Sequence, residues 1–248
     1  MWEKLHCDMR ATTLLFPFLG ACLAAMMLSA PDDVQAGQPL VTDDARLVDA
    51  GACQLEIWAK RSRDSTEMWS APACNVTGNL ELSLGAARTH DRVRTYTSNV
   101  QAQSKTLIKP LQTNGWGLGV VAGTVNHPHL RARDWYAYAP ISTSFVDDRI
   151  VVHTNLGIVR EGDSGERRAT WALAVETKLG ESAFLIAEVF GQDKGRASHQ
   201  LGVRYWIVPN HVQLDATYGN TAGDRLADRW FSVGLRLLSP AFFGSFGR

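Results

Sequence analysis

The feature that most constrains this chain is a strict two-residue alternation, cleanest in Gln200 to Gly219, QLGVRYWIVPNHVQLDATYG. Leu201, Val203, Tyr205 and Ile207 share one face, and Gly202, Arg204 and Trp206 share the other. After Pro209-Asn210 the pattern resumes with Val212, Leu214, Ala216 and Tyr218 on the apolar face and Gln213, Asp215 and Thr217 opposite. Pairing Val208 with His211 about that turn sets Arg204 directly across from Asp215. A sheet that is apolar on one face and charged on the other fits two settings. It is half-buried in a soluble core, or it turns its apolar face to lipid around a polar lumen.

The same alternation recurs along the chain. It covers Cys53 to Lys60, Glu67 to Asn75, Asn79 to Ala87, Tyr96 to Ile108, Trp116 to Thr124 and Trp135 to Phe145. It continues through Ile150 to Val159, Thr170 to Leu179, Ala183 to Gln192, the Gln200 to Gly219 pair, and Trp230 to Leu238. That makes about twelve strands of roughly ten residues, the length a tilted strand needs to cross an outer membrane. Pro72 makes the second of them the least regular. The connections alternate. Tight ones at 75–78, 110–115, 146–149, 180–182 and 208–211 interleave with longer, charged ones at 88–94, 127–134, 161–168, 193–199 and 220–228. Short turns at one rim and longer loops at the other are the pattern of an outer-membrane barrel with both termini on the periplasmic side. Trp116, Trp135, Tyr136, Tyr205, Trp230 and Phe231 fall near strand ends, as interfacial girdles would. The expected fold is therefore all-β, a single antiparallel transmembrane β-barrel over residues 52–248.

Residues 1–36 read as a signal peptide. An apolar run from Ala11 to Ala30 follows Lys4 and Arg10, and Val34-Gln35-Ala36 offers a cleavage site before Gly37. Met9 is a second candidate start, and a membrane anchor or lipid attachment at Cys22 are the lesser readings. Of 25 bases and 25 acids the leader takes two bases and four acids, which leaves 23 against 21. That balance carries no footprint for nucleic acid. Cys53 and Cys74 remain in a compartment that permits disulfides. If Arg61 faces Thr66, one register opposes Lys60 to Glu67, Trp58 to Trp69 and Cys53 to Cys74. A cross-strand disulfide is the leading reading, and two separate thiols are the alternative.

With the polar phase inward, the wall presents Glu56, Glu81, Gln101, Gln103, Lys105, His153 and Glu176. Pairing Gln192 with Gln200 would add Glu188 opposite Arg204, with Arg236 about one pleat from Asp215. The expected result is a lumenal charge belt of Glu188, Arg204, Asp215 and Arg236. Such a belt lines a permeation path or neutralises itself inside a small barrel. Phe184, Ile186 and Phe190 share the phase of Glu188 and make one wall partly apolar. Ser142, Ser144, His153 and Asn155 share polar faces, but spacing alone does not make a nucleophile and base. HExxH, GxSxG, phosphate-loop and clustered Cys/His patterns do not occur in the sequence. No enzyme activity, cofactor or metal is expected.

Pro39-Leu40-Val41-Thr42-Asp43-Asp44-Ala45, followed by Gly51 and Glu56, resembles the PL-x-TDDA opening of bacterial outer-membrane proteins named for the meta-pathway of phenol degradation. Asn79-Leu80-Glu81-Leu82 and the Gly202 to Asp215 hairpin are similar to later segments of that family. The resemblance implies a Gram-negative outer-membrane barrel that passes or binds small, including aromatic, compounds. One departure is the end of the chain. Outer-membrane barrels usually end on an aromatic that closes the last strand, whereas here Ser239 to Arg248 follows Leu238; either the last strand runs on to Phe242 or Phe243, or assembly uses an internal signal.

The expected function is that of a narrow channel or binding porin for small solutes, in contact with outer-membrane lipid and assembled by the outer-membrane machinery. A plugged structural or adhesive barrel is the alternative, and an outer-membrane lipid hydrolase stands behind both. The segment 37–51 lacks periodicity and lies in the periplasm or in the lumen. In the lumen, Asp43 and Asp44 would meet basic residues.

Overall fold

The computed structural model describes residues 40–223 and 228–241. The signal peptide, the cleavage site and the question of Phe242 and Phe243 lie outside these residues. Twelve antiparallel strands follow in chain order: β1 (Cys53–Ser62), β2 (Ser65–Asn75), β3 (Leu80–Asp91), β4 (Thr95–Lys109), β5 (Trp116–His127), β6 (Ala132–Phe145), β7 (Ile150–Arg160), β8 (Arg167–Lys178), β9 (Ala183–Gln192), β10 (Ser198–Val208), β11 (Val212–Thr221) and β12 (Trp230–Leu238). Each pairs with its sequence neighbour, and β1 closes on β12 from Gln54↔Leu238 to Ser62↔Trp230.

Alternation becomes geometry directly. Leu82, Leu84, Leu156, Leu185, Leu201, Val203 and Leu214 are all exposed on the outer wall, while Glu56, Glu81, Lys105, Glu176 and Glu188 are buried inside. An apolar outer wall around a polar interior is the arrangement of a barrel that faces lipid. Local turn chemistry sets the registers: Arg204 faces Asp215 across the hairpin with Asn210 in the left-handed region. Cys53↔Cys74, Trp58↔Trp69 and Lys60↔Glu67 fall in one register, and the two cysteines are joined by a disulfide. Proline leaves its mark where it cannot donate. β2 runs through Pro72, but its ladder to β3 skips Ala71 and Pro72, and the β5–β6 ladder skips Ala139 and Pro140.

Three expectations change. Glu188 pairs with Gln200 and Arg204 with Phe184, because the β9–β10 connection contracts to 193–197 and Ser198 already belongs to the strand. The slip is an even number of residues, so both side chains stay inside while their neighbours change. Second, the charged segments at 88–94 and 127–134 are mostly strand, with connections only at 92–94 and 128–131. The ladder has simply continued past the apolar belt. Third, of the six expected girdle residues Tyr136 and Trp230 face inward, while Trp116, Trp135, Tyr205 and Phe231 face outward. Neighbouring residues in a strand cannot both face lipid. Gly219 accommodates the inward Trp230, since a Cβ there would stand 2.2 Å from the indole.

Leu84 sits in the middle of the outer belt. Leu84→Arg is expected to cost about 2–4 kcal/mol in reversible folding into lipid vesicles. A loss under about 0.5 kcal/mol would place that face away from lipid. Oxidised protein should run faster than reduced protein in denaturing gels, with no such difference in Cys53→Ser.

Candidate functional site

The lumen is occupied by the chain's own leading segment, residues 40–52, here called the strap. Its root is fixed at the short-turn rim. Gly51 N–H donates to the Asn75 carbonyl at 2.9 Å, Asn75 N–H to Ala52 at 3.0 Å, and the Asn75 amide to the Val48 carbonyl at 2.8 Å. The disulfide binds the next residue of the chain to the wall. From there the strap climbs the lumen with no sheet partner. Its backbone donors are met by inward side chains of the wall: Val48 N–H by Glu81 Oε2 at 3.2 Å, Ala45 N–H by Ser142 Oγ at 2.8 Å, and Val41 N–H by Glu188 Oε2 at 3.2 Å. Thr42 N–H also donates to Glu188, as does the Gln200 amide. A polar segment without periodicity can thread a lumen because a charged wall supplies the acceptors that a sheet would otherwise supply.

Two of the strap's acids, Asp43 and Asp44, seat on Lys105. Lys105 Nζ lies 2.7 Å from Asp43 Oδ1 and 3.4 Å from Asp44 Oδ1, with the lysine side chain only 5% exposed. Tyr138 OH donates to the second Asp43 oxygen at 3.0 Å. The Asn155 amide, oriented by its hydrogen bonds, donates to the Asp43 carbonyl at 2.9 Å and accepts from Asp43 N–H at 2.8 Å. Burial pushes the Asp44 carboxyl up, but Lys105, Arg46, His153 and Arg236 together outweigh it and hold the group well below its ordinary 3.8. The Asp44–Lys105 pair thus survives acidification at least to the ordinary carboxylate range and is lost only below it.

The expected four-residue belt resolves into separate sets. Arg204 donates to Asp215 Oδ1 and, across β9, to Glu176 Oε2, each at 2.7 Å; Gln213 donates to the other Asp215 oxygen at 2.8 Å. Arg236 turns away from Asp215 to Glu56 at 3.5 Å and Gln54 at 2.7 Å, since β12 closes against β1. Glu188 serves the strap. Gln101 and Gln103 hold the Tyr136 hydroxyl at 2.6 and 2.8 Å. His153 Nδ1 lies 2.8 Å from Ser142 Oγ, but that serine is fully buried and takes the Ala45 N–H, so the pair anchors the strap.

Above the strap, at the loop rim, lies a cavity of about 550 Å³. Val41, Tyr136, Tyr138 and Asn155 form its inner end, and Tyr96, Val125, Trp171 and His127 line its sides. Tyr136 and Tyr138 stack with centroids 6.1 Å apart, and His127 Nε2 pairs with Asp134 at 2.9 Å. Beside the strap at the level of Lys105 a space of about 80 Å³ lies among Asp43, Asp44, Glu81 and Arg236, and a more open one of about 480 Å³ flanks its root at Leu47 to Ala50. Tyr136, expected in the lipid girdle, lines the lumen instead, and Tyr138 joins it there. Their signal was present in the alternation, which puts Tyr136, Tyr138 and Pro140 in one phase opposite Trp135.

Residues 24–238 match the model of a family described as "Uncharacterised conserved protein UCP029691". No curated protein sequence matches. Among solved structures, the chain is similar to "KdgM porin in complex with disordered oligogalacturonate", at 8% identity over 74% of this chain and 98% of that one, with a TM-score of 0.61. It is similar to the NanC porin at 9% identity, over 75% and 98%, with a TM-score of 0.56. It is also similar to the COG4313 outer membrane channel from Pseudomonas putida F1 at 11%, over 83% and 99%, with a TM-score of 0.55. At these identities the likeness establishes the fold, that of outer-membrane porins.

Two substitutions test the site. Glu188→Gln removes the charge that holds Val41 and Thr42. Hydrogen exchange at those two amides should quicken by about tenfold, matching a loss of about 1–2 kcal/mol, with the wall strands unchanged. Arg204→Met strands Asp215 and Glu176 inside the wall and should lower folding stability by about 3–5 kcal/mol.

Proposed function

We propose, for a chain that belongs to the family "Uncharacterised conserved protein UCP029691", that it is an outer-membrane channel which binds small solutes at its loop rim and passes them when the strap leaves the lumen. The observation that carries this reading is the manner in which the lumen is filled. Among the described residues, the strap's backbone-to-backbone hydrogen bonds lie at its root, at Gly51 and Ala52. Higher up, it is held by side chains that water or a solute can replace. A segment hydrogen-bonded into a sheet could not be withdrawn without opening the barrel, whereas this one can move while the twelve-strand wall stays closed.

The solute class follows from the cavity. A volume of about 550 Å³ falls within the usual range for small-ligand sites. Its stacked tyrosines and Trp171 offer aromatic faces beside a few polar groups. The resemblance of the TDDA opening to the phenol meta-pathway proteins supports the same class, small aromatic or partly apolar compounds. The apolar outer belt and the porin fold support an outer-membrane location. The many strap contacts favour a second reading, a permanently plugged barrel that acts through its outer loops.

Planar-bilayer conductance separates the two. Deleting residues 40–50 should raise single-channel conductance several-fold over the full chain, because the space left beside the strap at the level of Lys105 is about 80 Å³. Unchanged conductance would leave the plugged barrel as the better account.

A further inference from the structure

The contacts around Asp43 have the form of a binding site that the chain fills with its own residue. Lys105 Nζ and Tyr138 OH each take one oxygen of the Asp43 carboxylate, at 2.7 and 3.0 Å. Asn155 bonds both the backbone N–H and the backbone carbonyl of the same residue. These three side chains come from three strands of the wall, β4, β6 and β7, and converge on one residue of a segment that is not part of the wall. The location matters as well. Tyr138 and Asn155 also line the loop-rim cavity, and Tyr138 borders the small space beside the strap. A solute at the inner end of the rim cavity therefore lies against Tyr138 and Asn155, which hold Asp43, together with Val41 and Tyr136.

Charge selects what could take the strap's place. Lys105 is buried, its ion-pair partners are Asp43 and Asp44, and Glu81 is its register neighbour on β3. Withdrawing the strap removes two carboxylates from around a buried ammonium. A neutral solute would leave the ammonium with Glu81 as its acidic neighbour and nothing charged at the position Asp43 had taken, which is less favourable for the cation than a carboxylate there. A carboxylate would restore one negative charge and both hydrogen bonds.

We propose that Lys105, Tyr138 and Asn155 form a carboxylate-binding site which Asp43 occupies as a tethered competitor, and that small monocarboxylates with a flat apolar body are the solutes that displace it. This rests on the reading of the barrel as a channel whose strap can leave. The carboxylate seats on Lys105 and Tyr138, and the body of the solute lies in the cavity above, against the Tyr136–Tyr138 stack. A tethered carboxylate acts at an effective concentration of order millimolar, so the full chain should bind such acids only weakly. Selection and opening are then one event: the group that recognises the solute is the group that releases the strap.

The test uses the full chain in detergent micelles, titrated calorimetrically with benzoate and, as its neutral counterpart, benzamide. Asp43→Asn removes the competitor's charge and leaves the wall untouched. Benzoate should bind this variant about tenfold tighter than the parent chain, while benzamide affinity should not change. Adding Lys105→Gln to Asp43→Asn should abolish the gain, and heat-dependent gel mobility checks that each barrel is folded. Equal benzoate affinity in the parent and Asp43→Asn, or an equal gain for benzamide, would overturn the assignment. The channel reading fails separately. If deletion of the strap opens conductance while Asp43→Asn changes nothing, the channel stands and the carboxylate site falls. If benzoate behaves as expected while deletion leaves conductance unchanged, the site stands in a barrel that does not conduct.

Discussion

Closure of β1 on β12 is the constraint from which the other features of this molecule follow. A sheet with a free edge leaves a row of N–H and C=O groups unpaired, and hydrocarbon offers them no partner. With the ladder joined from Gln54↔Leu238 to Ser62↔Trp230, each strand has two neighbours and the outer face can be purely apolar. Closure also fixes a small interior. Every second residue must point into it, and in this chain many of those residues are charged.

An interior of that kind has to neutralise itself. The wall achieves part of this with Arg204 between Asp215 and Glu176, and with Arg236 beside Glu56. Lys105 and Glu188 are completed from elsewhere: Asp43 and Asp44 meet the lysine, and two strap amides meet the glutamate. The strap is thus the missing complement of the wall's charge pattern, as well as an obstruction. This couples filling of the lumen to recognition within it, because whatever replaces the strap must satisfy the same groups.

Much of this was legible in the sequence because a strand's side-chain period is two and needs no tertiary knowledge. The burial of Glu56, Glu81, Gln101, Lys105, His153 and Glu176 inside the wall follows from phase alone. Arg204 across from Asp215, and Cys53 across from Cys74, follow because a tight turn fixes its own register. Where a connection is longer, its length does not fix the register. Glu188 was accordingly placed opposite Arg204 when its neighbour is Gln200. Tyr136 and Trp230 sit beside aromatic neighbours at strand ends, yet their phase separates them from Trp135 and Phe231.

The sequence by itself determined the strand count, the face each residue occupies and the short-range pairings, since all three depend on local periodicity and turn chemistry. Tertiary structure alone decided where residues 40–52 lie and which charges meet. A segment without periodicity has no intrinsic address. Its position is set by long-range electrostatics, with Asp43 reaching Lys105 over sixty-two residues and Val41 reaching Glu188 over 147. Such contacts exist only once the wall has closed and brought β4, β6, β7 and β9 around one space.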